Sequence, residues 1–120
     1  MHTPTTERRN TMKYSLIPGT EMSVSKICLG TMTFGSPVAE EDAIRLVRYA
    51  MDEHGINFVD TANMYEGYNR YAGSSGGVAE EILGKAVEGR RQDFILATKS
   101  MSRDKAGMAR DIDISLKNLR

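Results

Sequence analysis

The chain has 120 residues, and 16 basic and 16 acidic side chains give it a formal net charge of zero, which provides no general attraction to nucleic acid or to an anionic membrane. Its single cysteine, Cys28, excludes an intrachain disulfide and is typical of a reducing compartment, so we predict a cytoplasmic protein. No apolar run approaches the roughly 20 residues that cross a bilayer, and the length falls far short of the roughly 250 residues of a closed eight-unit barrel.

The first predicted elements are a polar leader and a hairpin. Residues 1–12 contain no apolar segment of the secretory type, and we expect them to be flexible. Residues 14–17 and 22–25 have strand character on either side of a Pro-Gly-Thr turn at 18–20. Residues 26–30 form a short apolar run that ends in glycine, which is typical of a buried strand.

Helical periodicity follows three times. Apolar side chains recur at three- and four-residue spacing in the segments 40–54, 78–87 and 108–119. Gly55 directly follows the first of these helices and suits a left-handed cap. Ser74 or Ser75 is available to cap the second.

Two further apolar runs, at 56–60 and 94–98, alternate with these helices and predict strands. Strands that alternate with helices and are apolar on both faces predict a parallel sheet. The predicted order is therefore a hairpin followed by three strand–helix units.

Residues with useful chemistry follow the predicted strands. Asp60 ends one strand, Lys99 follows the next, and Tyr65 lies five residues after Asp60. Functional groups of parallel α/β folds gather at the carboxyl ends of strands, and neighbouring strands lie about 5 Å apart, which allows a salt bridge between Asp60 and Lys99. Because a nearby cation lowers the pKa of a phenol, Lys99 would make Tyr65 a better general acid, as the reduction of a carbonyl requires.

Each of these residues also has a commoner structural role. An aspartate at a strand end often caps a helix, and a lysine is usually only solvated. Tyr65 is one of five tyrosines, and Tyr68 and Tyr71 occur in the same predicted loop. The prediction of an active site therefore depends on the joint placement of the three residues.

The other residues and motifs give little evidence of a catalytic or binding role. We predict a structural role for His54 at its helix end and a buried position inside a strand for Cys28. The sequence has no Cys/His cluster with metal-ligand spacing and no Gly-x-Gly-x-x-Gly fingerprint, so we predict neither a metal site nor a Rossmann domain.

Four sequence blocks resemble the aldo-keto reductases. They are KICLGTMTFG at 26–35, DTANMY at 60–65, GGVAEEILGKA at 76–86 and FILATK at 94–99. The leading part resembles the aryl-alcohol dehydrogenase-like branch, which includes potassium-channel beta subunits, and the resemblance covers residues 13–120.

The resemblance implies the N-terminal part of a (β/α)8 TIM barrel, with the hairpin at its bottom and about three strand–helix units. It implies an oxidoreductase that reduces aldehydes or ketones with NADPH, in which Tyr65 donates a proton, Lys99 lowers the pKa of that tyrosine and Asp60 pairs with Lys99. The cofactor-binding residues that it implies, beside the nicotinamide and its ribose, are Gly30, Thr31, Met32 and Asp60.

Two departures from the family accompany the match. Glu66 stands where glycine is common, and the family's catalytic histidine and its 2′-phosphate site belong to segments that follow Arg120. We therefore expect the chain to be the N-terminal portion of a longer reductase and to be inactive alone. Two alternatives stay open, namely a non-catalytic subunit that senses nicotinamide nucleotides and a small α/β interaction domain. Beyond a small carbonyl substrate and a homo-oligomer, we predict no partner.

Overall fold

The computed structural model describes residues 11–65 and 77–120. The described chain begins with the predicted hairpin, in which β1 (Tyr14–Leu16) pairs antiparallel with β2 (Ser23–Ser25). Each strand is one residue shorter than predicted, because hydrogen bonds of the turn already begin at Ile17.

The side chain of Asn57 attaches this hairpin to the strands that follow. Its amide nitrogen donates to the Ser23 carbonyl at 2.9 Å, and its amide oxygen accepts the Ser25 N–H at 2.7 Å. The Tyr14 hydroxyl donates to the Gly55 carbonyl at 2.6 Å. Gly55 and Asn57 lie just before the strand that begins at Phe58. These contacts therefore place the hairpin at the amino end of the sheet.

In the part of the chain that the structure describes, three short parallel strands form that sheet. They are β3 (Leu29–Gly30), β4 (Phe58–Asp60) and β5 (Ile95–Ala97), hydrogen-bonded in this order. The register places Asp60 between Gly30 and Ala97. The predicted parallel sheet is confirmed, and its strands are shorter than the apolar runs because only part of each run has a hydrogen-bonded neighbour.

In residues 11–65 and 77–120, three helices alternate with these strands: α1 (Glu40–His54), α2 (Val78–Ala86) and α3 (Lys105–Leu119). Helix α1 has the predicted bounds, and Gly55 follows it with a left-handed φ of 70°. Helix α2 ends one residue early, and its N-cap is Gly77, not a serine. Helix α3 begins three residues early, because the Asp104 side chain accepts the Gly107 N–H at 3.1 Å and caps it.

One hydrophobic core joins the helices to the sheet. Its fully buried side chains include Val47 of α1, Val59 of β4 and Leu83 of α2. Gly84 lets α2 and α3 approach closely, since a Cβ there would lie 2.5 Å from the Asn118 carbonyl oxygen. Burial of α1 and α2 against β4 therefore fixes the strand that carries Asp60.

The structure corrects the prediction for Cys28, which is exposed, because it precedes β3 and does not lie inside a buried strand. A 3-10 helix, Arg91–Asp93, lies between α2 and β5. Predictions that fall outside the described residues concern the leader up to residue 10 and Glu66, Tyr68, Tyr71, Ser74 and Ser75.

No helix in residues 11–65 or 77–120 is long and apolar enough to cross a membrane.

Candidate active site

The ends of β4 and β5 bring Asp60 and Lys99 together, as their positions in the sequence predict. The Lys99 ammonium donates to both carboxylate oxygens of Asp60, at 3.0 and 2.9 Å, and to the Thr61 carbonyl at 2.8 Å. The pair is only partly covered, with 47% of the Lys99 side chain and 38% of the Asp60 side chain exposed. The ammonium is thus fixed in position and is still reachable from solvent.

Two opposing effects determine the pKa of Lys99. Burial lowers the pKa of the ammonium, but hydrogen bonds to Asp60 and Tyr65 and the negative charge of Asp60 outweigh burial and raise it above the ordinary lysine value. Lys99 therefore stays a cation at neutral pH.

Tyr65 lies beside this ammonium. The Lys99 nitrogen is 5.0 Å from the centre of the Tyr65 ring, and the ring packs partly against the hydrophobic core. The Tyr65 carbonyl accepts the Ala79 N–H at 3.0 Å, which ties the residue to the first turn of α2. The three predicted catalytic residues are thus brought to one place.

The predicted cofactor residues lie at the end of β3, next to Asp60. Gly30 pairs with Asp60 across the sheet, and a Cβ on Gly30 would meet no atom within 4 Å. The fully buried Thr31 hydroxyl donates to the Asp60 carbonyl at 3.1 Å, so it fixes the strand end. The Met32 side chain is exposed beside them.

A carboxylate behind the site was missed in the sequence. Asp111 of α3 accepts the hydroxyls of Ser100 and Ser102, at 2.5 and 2.7 Å. The sequence pattern of residues 100–107 indicates only a polar loop, and nothing in it connects its serines with Asp111, which follows Ser100 by 11 residues and Ser102 by 9. Ser100 and Ser102, closely spaced after Lys99, are the one signal in the sequence that could have suggested such a contact.

Sequence reasoning also missed a second carboxylate, Glu80, which is buried. Glu80 of α2 is fully buried, accepts the Thr98 hydroxyl at 2.7 Å and accepts the Asn118 side-chain amide at 3.3 Å. It therefore links α2 to the residue that precedes Lys99 and to the end of α3. Within residues 11–65 and 77–120, no three His, Cys, Asp or Glu side chains group as metal ligands.

Comparison with known proteins identifies the family. The model of the aldo/keto reductase family matches residues 26–120. The uncharacterized oxidoreductase YrpG of Bacillus subtilis is 44% identical over 91 residues, which cover 73% of this chain and 26% of that protein. The chain thus spans about a quarter of the length of this relative.

Two solved structures resemble the fold. The holo form of an aldo-keto reductase from Bacillus halodurans has a TM-score of 0.73 and 32% identity, over 90% of this chain and 36% of that one. An aldo-keto reductase from Klebsiella pneumoniae in complex with NADPH has a TM-score of 0.67 and 33% identity, over 81% and 32%. The chain belongs to the aldo/keto reductase family and has the fold of the N-terminal part of its (β/α)8 barrel.

Proposed function

We propose that this chain supplies the Asp–Tyr–Lys part of the active site in an oxidoreductase that reduces aldehydes or ketones to alcohols with NADPH. The observation that carries the proposal is the Lys99 ammonium, held by Asp60 next to Tyr65. In this mechanism Tyr65 donates a proton to the carbonyl oxygen of the substrate as negative charge develops there. Lys99 stabilises the resulting phenolate, and Asp60 keeps the ammonium charged and oriented.

The residues at the end of β3 fit the nicotinamide part of the cofactor. Gly30 leaves open space next to Asp60, and the exposed Met32 offers an apolar contact to a planar ring. We assign Gly30, Thr31 and Met32 to the surroundings of the nicotinamide and Asp60 to its ribose. When bound, NADPH would supply the hydride. The choice of NADPH is supported by the family resemblance and by the Klebsiella pneumoniae complex.

The comparisons do not favour the two alternatives. The relatives described above are an oxidoreductase and aldo-keto reductases by name, which gives no support to a sensing subunit without turnover. Membership of the family also leaves no reason to propose a separate interaction domain. The cytoplasmic setting, the homo-oligomer and the domain limits of 1–12 and 13–120 stay predictions.

Replacing the proposed proton donor tests the function. In the native gene product, Tyr65→Phe should lower kcat for the reduction of an aldehyde panel by about 100-fold or more, the usual contribution of a general acid. The affinity for NADPH should change little, since the ring is kept. Oxidation of NADPH followed by absorbance measures the first quantity, and quenching of NADPH fluorescence measures the second.

Tyr49→Phe is the matched control, because Tyr49 is an exposed tyrosine of α1 whose ring contacts the His54 ring. It should keep wild-type turnover. Wild-type turnover in Tyr65→Phe would instead exclude Tyr65 as the acid.

A further inference from the structure

Asp111 joins helix α3 to the loop that follows Lys99. One of its oxygens accepts the Ser100 hydroxyl at 2.5 Å, the Ser102 hydroxyl at 2.7 Å and the Ser102 N–H at 3.3 Å. The Ser102 N–H also donates to the Ser100 hydroxyl oxygen at 3.1 Å. One carboxylate therefore determines the path of the chain directly after Lys99.

The loop after β5 is joined to the loop after β4 at Lys99 itself. The Asn63 N–H donates to the Lys99 carbonyl at 3.0 Å. Hydrogen bonds from Ser100 and Ser102, with a smaller effect of the Asn63 side chain, lower the pKa of Asp111, so its carboxylate stays charged at neutral pH. Asn63 lies between Asp60 and Tyr65 in the sequence, so the segment that Asp111 holds is bonded at Lys99 to the loop that carries both partners.

We propose that Asp111 is a positioning residue, which holds Lys99 at its working distance from Asp60 and Tyr65 by fixing the loop that directly follows Lys99. This inference rests on the proposed function, since it assigns Asp111 a part in the same reaction. Asp111 acts only through this loop, and its role needs a charged acceptor. The Ser100 hydroxyl, the Ser102 hydroxyl and the Ser102 N–H converge on one of its oxygens. An amide oxygen in its place would be neutral, and hydrogen bonds to a charged acceptor are roughly twice as strong as neutral ones.

The test compares Asp111→Asn with Asp113→Asn in the native gene product. Asp113 is exposed on the same helix, so its variant is a matched control and should behave as wild type. In Asp111→Asn we expect kcat to fall about tenfold, which is less than the roughly 100-fold that a 1 Å misplacement can cost. The affinity for NADPH should stay unchanged.

A second readout separates positioning from a merely structural role. When Lys99 is held less well, it stabilises the Tyr65 phenolate less, and the alkaline limb of the pH profile of kcat should move to higher pH. Asp111→Glu keeps the charge and should recover part of the lost turnover. If Asp111→Asn lowers only the melting temperature, with kcat and its pH profile unchanged, the proposal is wrong.

Two further variants complete the test. If Asp111→Asn does not fold, the double variant Ser100→Ala/Ser102→Ala removes the main donors and leaves α3 intact, and it should give the same fall in kcat. Tyr65→Phe identifies which proposal fails. If it is inactive while the Asp111 and serine variants match wild type, only the positioning role is wrong. If it is fully active, both proposals are wrong.

Discussion

At the scale of the residue, the raised pKa of Lys99 predicts how stability depends on pH. Burial alone would lower this pKa, but hydrogen bonds to Asp60 and Tyr65 prevail. Because the folded-state pKa lies above the ordinary value of 10.5, the stabilisation by the ion pair is complete below that value and is lost as the pH rises through the folded-state pKa. The effect should stay under about 1 kcal/mol, since both partners are partly exposed.

Chemical denaturation from about pH 9 to about pH 12 measures this effect as a free energy of unfolding, because the interval reaches well above the ordinary lysine value of 10.5. The wild type should lose more stability over this interval than Lys99→Met. The exposed Lys117 of α3 provides the control, and Lys117→Met should follow the wild-type curve. Parallel curves for the wild type and Lys99→Met would contradict the prediction.

At the scale of the element, the cap of α3 can be tested alone. Asp104→Ala removes the acceptor of the Gly107 N–H and should lower the free energy of unfolding by about 1 kcal/mol. Lys105→Ala changes the next residue, which is exposed, and should have little effect. Thermal unfolding of both variants gives the comparison, and equal stability would mean that the cap contributes nothing.

Local signals explain which elements could be predicted. Both ends of α1 carry such signals, an acidic first turn and Gly55, and both were predicted correctly. Residues 105–107 have no apolar periodicity, so the pattern of apolar residues predicts the start of α3 at residue 108 and not at Lys105, where the Asp104 cap begins it. The strands were predicted too long because their length depends on the hydrogen bonds of a partner strand.

The contacts of the candidate site likewise divide into those that local sequence signals predict and those that they do not. The meeting of Asp60 and Lys99 follows from their positions at the ends of neighbouring parallel strands, which the pattern reveals. The contacts of Asp111 and Glu80 depend on how loops fold back onto helices, and periodicity contains no information on this.

At the scale of the whole molecule, an apolar face of α3 is uncovered. Its exposed side chains are Met108, Ile112 and Leu116, and within the described residues the outer edge of β5 has no partner strand. Exposed apolar faces and open strand edges favour association. Residues 1–120 expressed alone should therefore self-associate, as analytical ultracentrifugation can measure.

Ile112→Lys combined with Leu116→Lys should shift this association toward smaller species, because it places two charges on the apolar face. Arg110→Lys alters the same helix without changing its charge and should not. A monomer of residues 1–120 with a sharp thermal transition would show that the uncovered face is harmless.

The contacts of Lys99 have a consequence for unwanted chemistry with aldehydes. A neutral lysine amine attacks aldehydes and forms imines, which requires a free electron pair on nitrogen. Lys99 holds its proton through a raised pKa and donates to three oxygen atoms, so its free electron pair is rarer at neutral pH than that of an ordinary lysine. An amine that lies next to the proposed carbonyl site is thereby protected from covalent capture by the substrate.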